Sequence, residues 1–242
     1  MVTTNNKPLV VESVSKNFKT KKVLSNVSLT VNAGEIYGLI GLNGVGKTTL
    51  IKIILDLLTQ DSGKVEFFGI NANVTESRAN INYLPEKFFP SQFLKGKEFL
   101  ELALSYYGKE FDIKKAEEKA AVLGLDPAAL HQTITKYSKG MGQKLGLLSM
   151  FLCETPLLIL DEPMSGLDPS ARIQLKELLN DYKKQGKTVF FSSHILSDIE
   201  EICDNIAVIH DGRIIFSGAP KDFLAKHGGK NLERSFLEAI SA

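Results

Sequence analysis

Gly41-Leu42-Asn43-Gly44-Val45-Gly46-Lys47-Thr48 is the stretch that decides the fold of this chain. Its eight residues satisfy G-x-x-x-x-G-K-[ST], the phosphate-binding P-loop pattern, which carries meaning between a strand and a helix. Both flanks comply. Residues 35–40 read as a buried strand running into the loop, and residues 49–58 as the helix running out of it. The chemistry dictates the residue types. Gly41, Gly44 and Gly46 let the backbone turn tightly and bring N–H groups to phosphate oxygens with no Cβ in the way. The positive end of the following helix adds to that field. Lys47 can reach the β- and γ-phosphates, and the Thr48 hydroxyl can ligate Mg²⁺. Leu42, Asn43, Val45 and Thr49 complete the candidate nucleotide-binding loop. A glycine-rich turn between strand and helix is the plain alternative, and the Lys47-Thr48 pair in this frame argues against it.

Outward from the loop, composition sets bounds. The chain has 242 residues, 43% hydrophobic and 24% charged, which suits one large α/β domain or two intimate lobes. Net charge is +1, so no global basic field points to nucleic acid, and none is expected as a partner. Cys153 and Cys203 lie in apolar helical surroundings and form no C-x-x-C, so packing in a reducing, cytoplasmic compartment is the expectation. Residues 1–6 are short and polar, with no expected signal peptide. The longest apolar helical run, residues 145–153, falls short of a membrane span. Any membrane-spanning part is therefore expected in another chain.

The order of elements divides the chain. Strands are expected over 9–14, 27–31, 64–69 and 81–84, with a lysine-rich turn at 19–22; hairpin signals dominate this opening. From Phe88 strand signals stop. Helices are expected over 97–107 and 112–123, separated by Gly108, and over 138–153. The α/β rhythm then returns with a strand at 157–160, a helix at 169–184 stopped by Gly186, and a strand from 188 that ends toward His194. A helix over 197–202 and a hairpin turning at Asp211-Gly212 follow. The expected organisation is an α/β catalytic lobe from 1–86 and 154–217, a helical insertion at 87–153, and a helical tail at 218–242.

A second constellation follows the P-loop. Leu157-Leu158-Ile159-Leu160-Asp161 reads as a buried strand delivering a carboxylate at its C-terminal end, where open α/β sheets bind ligands. This is a Walker B pattern. Asp161 can hold Mg²⁺, and Glu162, next in line, can polarise a water attacking the γ-phosphate. An apolar strand ending in an acid is weak by itself; in one chain with a P-loop it is not.

These motifs, with others in a fixed order, make the chain resemble the ATP-binding subunits of ABC transporters, from about residue 10 to residue 223. Tyr137-Ser138-Lys139-Gly140-Met141 stands at the signature position, Ser165-Gly166-Leu167-Asp168 is similar to the D-loop, and Tyr83-Leu84-Pro85-Glu86 falls at the Q-loop. The resemblance implies a P-loop NTPase, RecA-like core with an antiparallel β subdomain and a helical insertion subdomain. It implies ATP and Mg²⁺ as ligands, with Thr48, Asp161 and Glu86 at the metal. It implies Lys47, Glu162 and His194 as catalytic residues, His194 being the switch histidine, and Phe18 as the aromatic stacked on adenine. Ser138 and the Gly140 N–H are then donated across a head-to-tail dimer to the partner's nucleotide, so the partner is a second copy or a sister ATPase subunit. Integral membrane permease subunits are implied as further partners, with the chain peripheral on the cytoplasmic face of the membrane.

Taken singly, Phe18 reads as a core aromatic, His194 as a polar strand end, and Ser138 and Asp168 as helix caps. Two departures from the family pattern matter. Glu86 replaces the Q-loop glutamine, adding a charge and losing an amide donor. In the signature, Lys139 replaces glycine and Met141 replaces glutamine, while Ser138 and Gly140 remain. The Q-loop and signature look most like those of bacterial exporters; an importer subunit is the alternative within the class. A soluble repair or translation ATPase would bring tandem domains, a long coiled coil or zinc insertions. A GTPase would bring an N-K-x-D motif. None is found in the sequence.

Overall fold

The computed structural model describes residues 7–228 and 231–241. The polar segment at 1–6 and positions 229, 230 and 242 of the expected tail lie outside the described residues. Two sheets organise the fold. One is antiparallel in the order β2-β1-β4-β5, from β1 (Leu9–Phe18), β2 (Lys21–Val31), β4 (Ser62–Phe67) and β5 (Ile70–Asn71). The other runs β10-β9-β3-β8-β7-β6, from β3 (Ile36–Ile40), β6 (Ile81–Leu84), β7 (Leu157–Asp161), β8 (Thr188–Ser193), β9 (Asn205–His210) and β10 (Arg213–Gly218). All its neighbours are parallel except the β9–β10 hairpin at the edge.

Both faces of the parallel strands are buried, which explains their unbroken apolar runs. Successive residues alternate between two cores. Ile36 and Ile40 of β3, Leu158 and Leu160 of β7, and Val189 and Phe191 of β8 enter one core with the helices α2 (Gly96–Ser105), α3 (Ile113–Val122), α4 (Lys139–Cys153), α5 (Pro169–Lys184), α6 (Leu196–Ile202), α7 (Pro220–His227) and α8 (Leu232–Ser241). Tyr37, Leu39, Leu157, Ile159 and Phe190 enter the other, with the antiparallel sheet and α1 (Lys47–Ile54). The P-loop helix α1 is thus held between the two sheets.

Where elements differ from expectation, exposure or local turn chemistry is the reason. β1 and β2 continue out to Phe18 and back from Lys21, past the expected strand ends, because their outer halves are paired but solvent-facing and carry no apolar alternation. The lysine-rich turn shrinks to Lys19-Thr20. The helix expected over 49–58 stops at Ile54: Asp56 adopts a left-handed φ of 57°, and the N–H groups of Leu57 and Leu58 both return to the Lys52 carbonyl, at 2.8 and 3.2 Å. Leu57 is left exposed, so its apolar character misleads the periodicity. Short 3₁₀ turns at Thr75–Asn80, Pro127–His131 and Ile134–Lys136 gave no signal long enough to read.

The sheets are joined at a turn the sequence did reveal. Asp211 and Gly212 have φ of 45° and 70°, as a two-residue hairpin turn needs. The turn presses on β2: Gly212 accepts a hydrogen bond from the Ser25 N–H at 2.8 Å, and a Cβ at position 212 would lie 2.4 Å from the Val23 carbonyl oxygen. Gly212→Ala is expected to destabilise the protein by about 1–3 kcal/mol through overpacking against a backbone atom. For a chain of this size that lowers the thermal midpoint by roughly 2–12 °C. A thermal melt unchanged by the substitution would show that the two sheets are not joined rigidly there.

Candidate nucleotide-binding site

The carboxyl ends of β3, β8 and β7 lie side by side. Ile40 pairs with Ser193, and Ser192 with Asp161, so the P-loop, the His194 turn and the Asp161-Glu162 pair leave the sheet at one level. They enclose a cavity of about 370 Å³ lined by Leu42, Asn43, Gly44, Gly46, Lys47, Thr48, Thr49, Glu86, Glu162 and His194. That volume suits a small-molecule ligand. Gly44 and Gly46 take φ of 78° and 115°, conformations that L side chains adopt with strain, and Gly46 caps α1 with no side chain over the helix end. The first N–H groups of α1 therefore open onto the cavity floor.

Two adjacent carboxylates meet opposite surroundings. Glu162, in a left-handed φ of 50°, lies between two nitrogens: Lys47 Nζ forms an ion pair at 3.3 Å with Oε1, which has no hydrogen-bond partner among the described residues, and His194 Nδ1 is hydrogen-bonded to Oε2 at 2.7 Å. Lys47 is itself buried and donates to the Gly41 carbonyl at 2.7 Å. Asp161 is 1% exposed and receives hydrogen bonds from hydroxyls: Thr48 at 2.9 Å to Oδ2 and Ser192 at 2.5 Å to Oδ1. Among the described residues no Lys, Arg or His nitrogen comes within ion-pair distance of it. A buried carboxylate lacking a cation, beside a hydroxyl, is a donor set that fits Mg²⁺. Among the described residues no three His, Cys, Asp or Glu side chains gather as a metal cage. Mg²⁺ needs none, since it takes one or two carboxylates plus phosphate oxygens and waters.

The remaining expected residues fall into two groups. Glu86 lines this cavity and also an adjoining one of about 340 Å³ with Thr48, Lys52, Tyr83, Pro85, Lys87 and Asp161. Burial, with the carboxylates of Asp161 and Glu86 adding to it, pushes the Tyr83 phenol up to about 12. Val45 and Gly41 shape the loop without lining the main cavity. Ser138, Gly140 and Phe18 do not line it either. Ser138 caps α4, its Oγ accepting from the Met141 N–H at 3.2 Å. Phe18 ends β1, 44% exposed, with Lys16 Nζ 5.5 Å from its ring centroid. Asp168 caps α5, and the Ala171 N–H bonded to its carboxylate is the main reason its pKa is lowered. Ser192 and Tyr83 were not named as site residues by the sequence. Their place depends on which strands are neighbours and in what register, which no local pattern encodes.

A family profile described as ABC transporter matches residues 24–165. The chain belongs to the ABC transporter ATP-binding family. Over 213 residues it is 39% identical to an ABC transporter ATP-binding protein of Synechocystis, a match covering 85% of this chain and 59% of that relative's length. It is 32% identical to the lantibiotic transport ATP-binding protein SrtF of Streptococcus pyogenes, covering 96% of this chain and 97% of SrtF. A solved structure titled as the ATP-binding subunit of an ABC transporter superposes with a TM-score of 0.87 at 33% identity, covering 96% of this chain and 98% of that one. The P-loop NTPase fold and an ATP-hydrolysing domain follow from this kinship.

The placement of Glu86 beside Thr48 and Asp161 has a measurable consequence. Removing one negative charge roughly 8 Å from a divalent cation weakens their attraction by about 1 kcal/mol in a solvated setting. Glu86→Gln is therefore expected to raise the Mg²⁺ concentration for half-maximal ATP hydrolysis about fivefold, and to change metal-free ATP affinity less. Superimposable Mg²⁺ titrations for the two proteins would leave Glu86 as a connecting residue only.

Proposed function

We propose that this chain is the ATPase subunit of a membrane transporter, hydrolysing ATP between two head-to-tail copies and powering export through separate permease subunits. The observation that carries this reading is the convergence of Lys47, Glu162 and His194 in one cavity, with Thr48 and Asp161 paired beside them. The P-loop backbone and Lys47 hold the β- and γ-phosphates. Thr48 and Asp161, with Glu86 near them, hold Mg²⁺, which when bound neutralises phosphate charge. Glu162 takes a proton from a water in line with the γ-phosphate, the water oxygen bonds to the γ-phosphorus as the bond from that phosphorus to the bridging oxygen breaks, and ADP and inorganic phosphate are left. His194, hydrogen-bonded to Glu162, orients that carboxylate and faces the γ-phosphate.

Ser138 and Gly140 sit outside the cavity, at the N-terminus of a fifteen-residue helix. That placement supports their use on a partner's nucleotide rather than on the chain's own. Phe18, exposed at the tip of β1, supports adenine stacking. Among the described residues no helix is long and apolar enough to cross a membrane, so the reading assigns the pathway to partner subunits on whose cytoplasmic face this chain docks, with the helical insertion at 87–153 as the docking part. SrtF is named for lantibiotic transport, and this supports export of a peptide-like or amphiphilic cargo.

Glu162→Gln is expected to bind ATP, to lose hydrolysis by at least about a hundredfold, and to elute as an ATP-dependent dimer on size exclusion. Wild-type turnover by this variant would refute the role given to Glu162. A mixing experiment addresses the dimer. Lys47→Ala and Ser138→Arg should each be inactive alone, yet a mixture should regain part of the activity. A mixed dimer contains one site with both its P-loop and its signature intact, and one with neither. Heterodimers that form but stay inactive would mean either that the sites are not shared between chains or that one intact site cannot fire alone.

A further inference from the structure

We propose that Ser192 is a positioning residue of the hydrolytic site: its hydroxyl orients the Asp161 carboxylate and fixes the peptide group that carries Glu162. This rests on the reading that Asp161 serves the metal and Glu162 the attacking water. Ser192 lies on β8 directly opposite Asp161 on β7 and is fully buried. The residues before it, Val189, Phe190 and Phe191, are apolar and buried, so a hydroxyl here is costly unless it is bonded. It is bonded twice, and both bonds go to the acid pair. The Oγ donates to Asp161 Oδ1 at 2.5 Å, a length typical of a hydroxyl on a carboxylate, and accepts from the Glu162 N–H at 3.0 Å. A hydroxyl has one proton to give, so these two bonds fix its orientation.

The consequences differ for the two acids. Asp161 has its Oδ2 on Thr48 and its Oδ1 on Ser192. Thr48, its single proton on Asp161, keeps its lone pairs for a cation; Ser192 gives one of its two lone pairs to the Glu162 N–H and, fully buried, lines neither of the two cavities at the strand ends. Ser192 is thus the partner that holds the carboxylate without itself being a metal ligand. Glu162 is held at both ends: its N–H by Ser192, and its carboxylate by Lys47 and His194. Its φ of 50° is uncommon for a residue with a side chain, and such a turn persists only where the surroundings over-determine it. Ser193 makes the comparison useful. It is equally buried, yet its Oγ accepts from the Ile195 N–H at 3.0 Å and bonds to neither acid.

The test compares Ser192→Ala, Ser192→Cys and Ser193→Ala with the wild-type chain. Outer-shell partners of metal ligands are worth about 10–100-fold in metal affinity or activity. For Ser192→Ala, kcat is expected to fall by about 10–100-fold, and the Kd for Mn²⁺ in the presence of a non-hydrolysable ATP analogue, read by electron paramagnetic resonance, to rise about tenfold. Metal-free ATP affinity should stay unchanged. Ser192→Cys, a weak donor of nearly the same size, should fall between Ser192→Ala and wild type. Ser193→Ala loses a buried hydrogen bond too, so its thermal midpoint should drop, but its Mn²⁺ affinity should match wild type. Ser192→Ala matching Ser193→Ala in both kcat and Mn²⁺ affinity would overturn the assignment, as would Ser192→Cys no better than Ser192→Ala. Glu162→Gln, run alongside, separates the two levels: if it is inactive, such a failure concerns Ser192 alone; if it turns over like wild type, the underlying reading of the site fails and this inference with it.

Discussion

Asp161 is buried at the end of β7 with two hydroxyls for company and no cationic side chain among the described residues within ion-pair reach. One residue later, Glu162 touches Lys47 and His194. The chain thereby gives neighbouring carboxylates opposite environments, and such a division separates roles in an active site. Lys47 serves only one of the two acids: its Nζ faces the Gly41 and Leu42 carbonyls and Glu162. No cationic side chain among the described residues offsets the charge of Asp161. Under the proposed function that offset comes with the nucleotide, which ties the buried acid's stability to occupancy by Mg²⁺.

That division depends on strand order. β8 lies between the P-loop strand β3 and the acid-bearing strand β7. Were β3 and β7 neighbours, His194 and Ser192 would have no place between P-loop and acids. With β8 interposed, its end supplies Ser192 to the acid pair on one side while Ser193 pairs with Ile40 on the other. The helical and antiparallel layers then bury both faces of this sheet, and the packed cores keep the three strand ends at one level. The register beneath the site is strongly specified: a one-residue shift would move Leu160 and Phe191 from one core into the other and misplace every side chain on the strand.

Much of this was legible from residue order. The P-loop, the Asp161-Glu162 pair and the Asp211-Gly212 turn are local patterns in which residue type and chemistry coincide, whereas His194 is singled out through the family resemblance. The strand and helix sequence was readable because apolar runs bounded by turn residues mark buried elements. What could not be read was relational. Ser192 looks like any serine at a strand end until the register places it against Asp161. Tyr83 looks like a half-buried strand aromatic until β6 is laid beside β7. The exposed halves of β1 and β2 gave no apolar alternation, and Leu57, exposed past the end of α1, gave a false one.

The signature and the acid pair, far apart in sequence, are bound together by the same logic. Gln143, buried in the second turn of α4, donates to the Pro163 carbonyl at 3.4 Å, one residue past Glu162. Lys144 reaches Asp168 at 3.5 Å, and the stem of Lys139 lies against Gly166, where a Cβ would meet its Cε at 3.6 Å. The lysine that departs from the family's glycine therefore covers the D-loop. The segment from Glu162 to Asp168 is thus tied to the start of α4 along its length, and Ser138 caps that helix at the same end. Pro163, Gly166 and Asp168, in the loop that follows Glu162, therefore each face a residue in the first two turns of α4. In the proposed head-to-tail dimer the two ends of this unit would touch different nucleotides, one through Glu162 and one through Ser138. A packed unit spanning two sites can couple them when its arrangements differ in contacts to each. Here the coupling element is short, because the loop joining acid and D-loop is braced by α4.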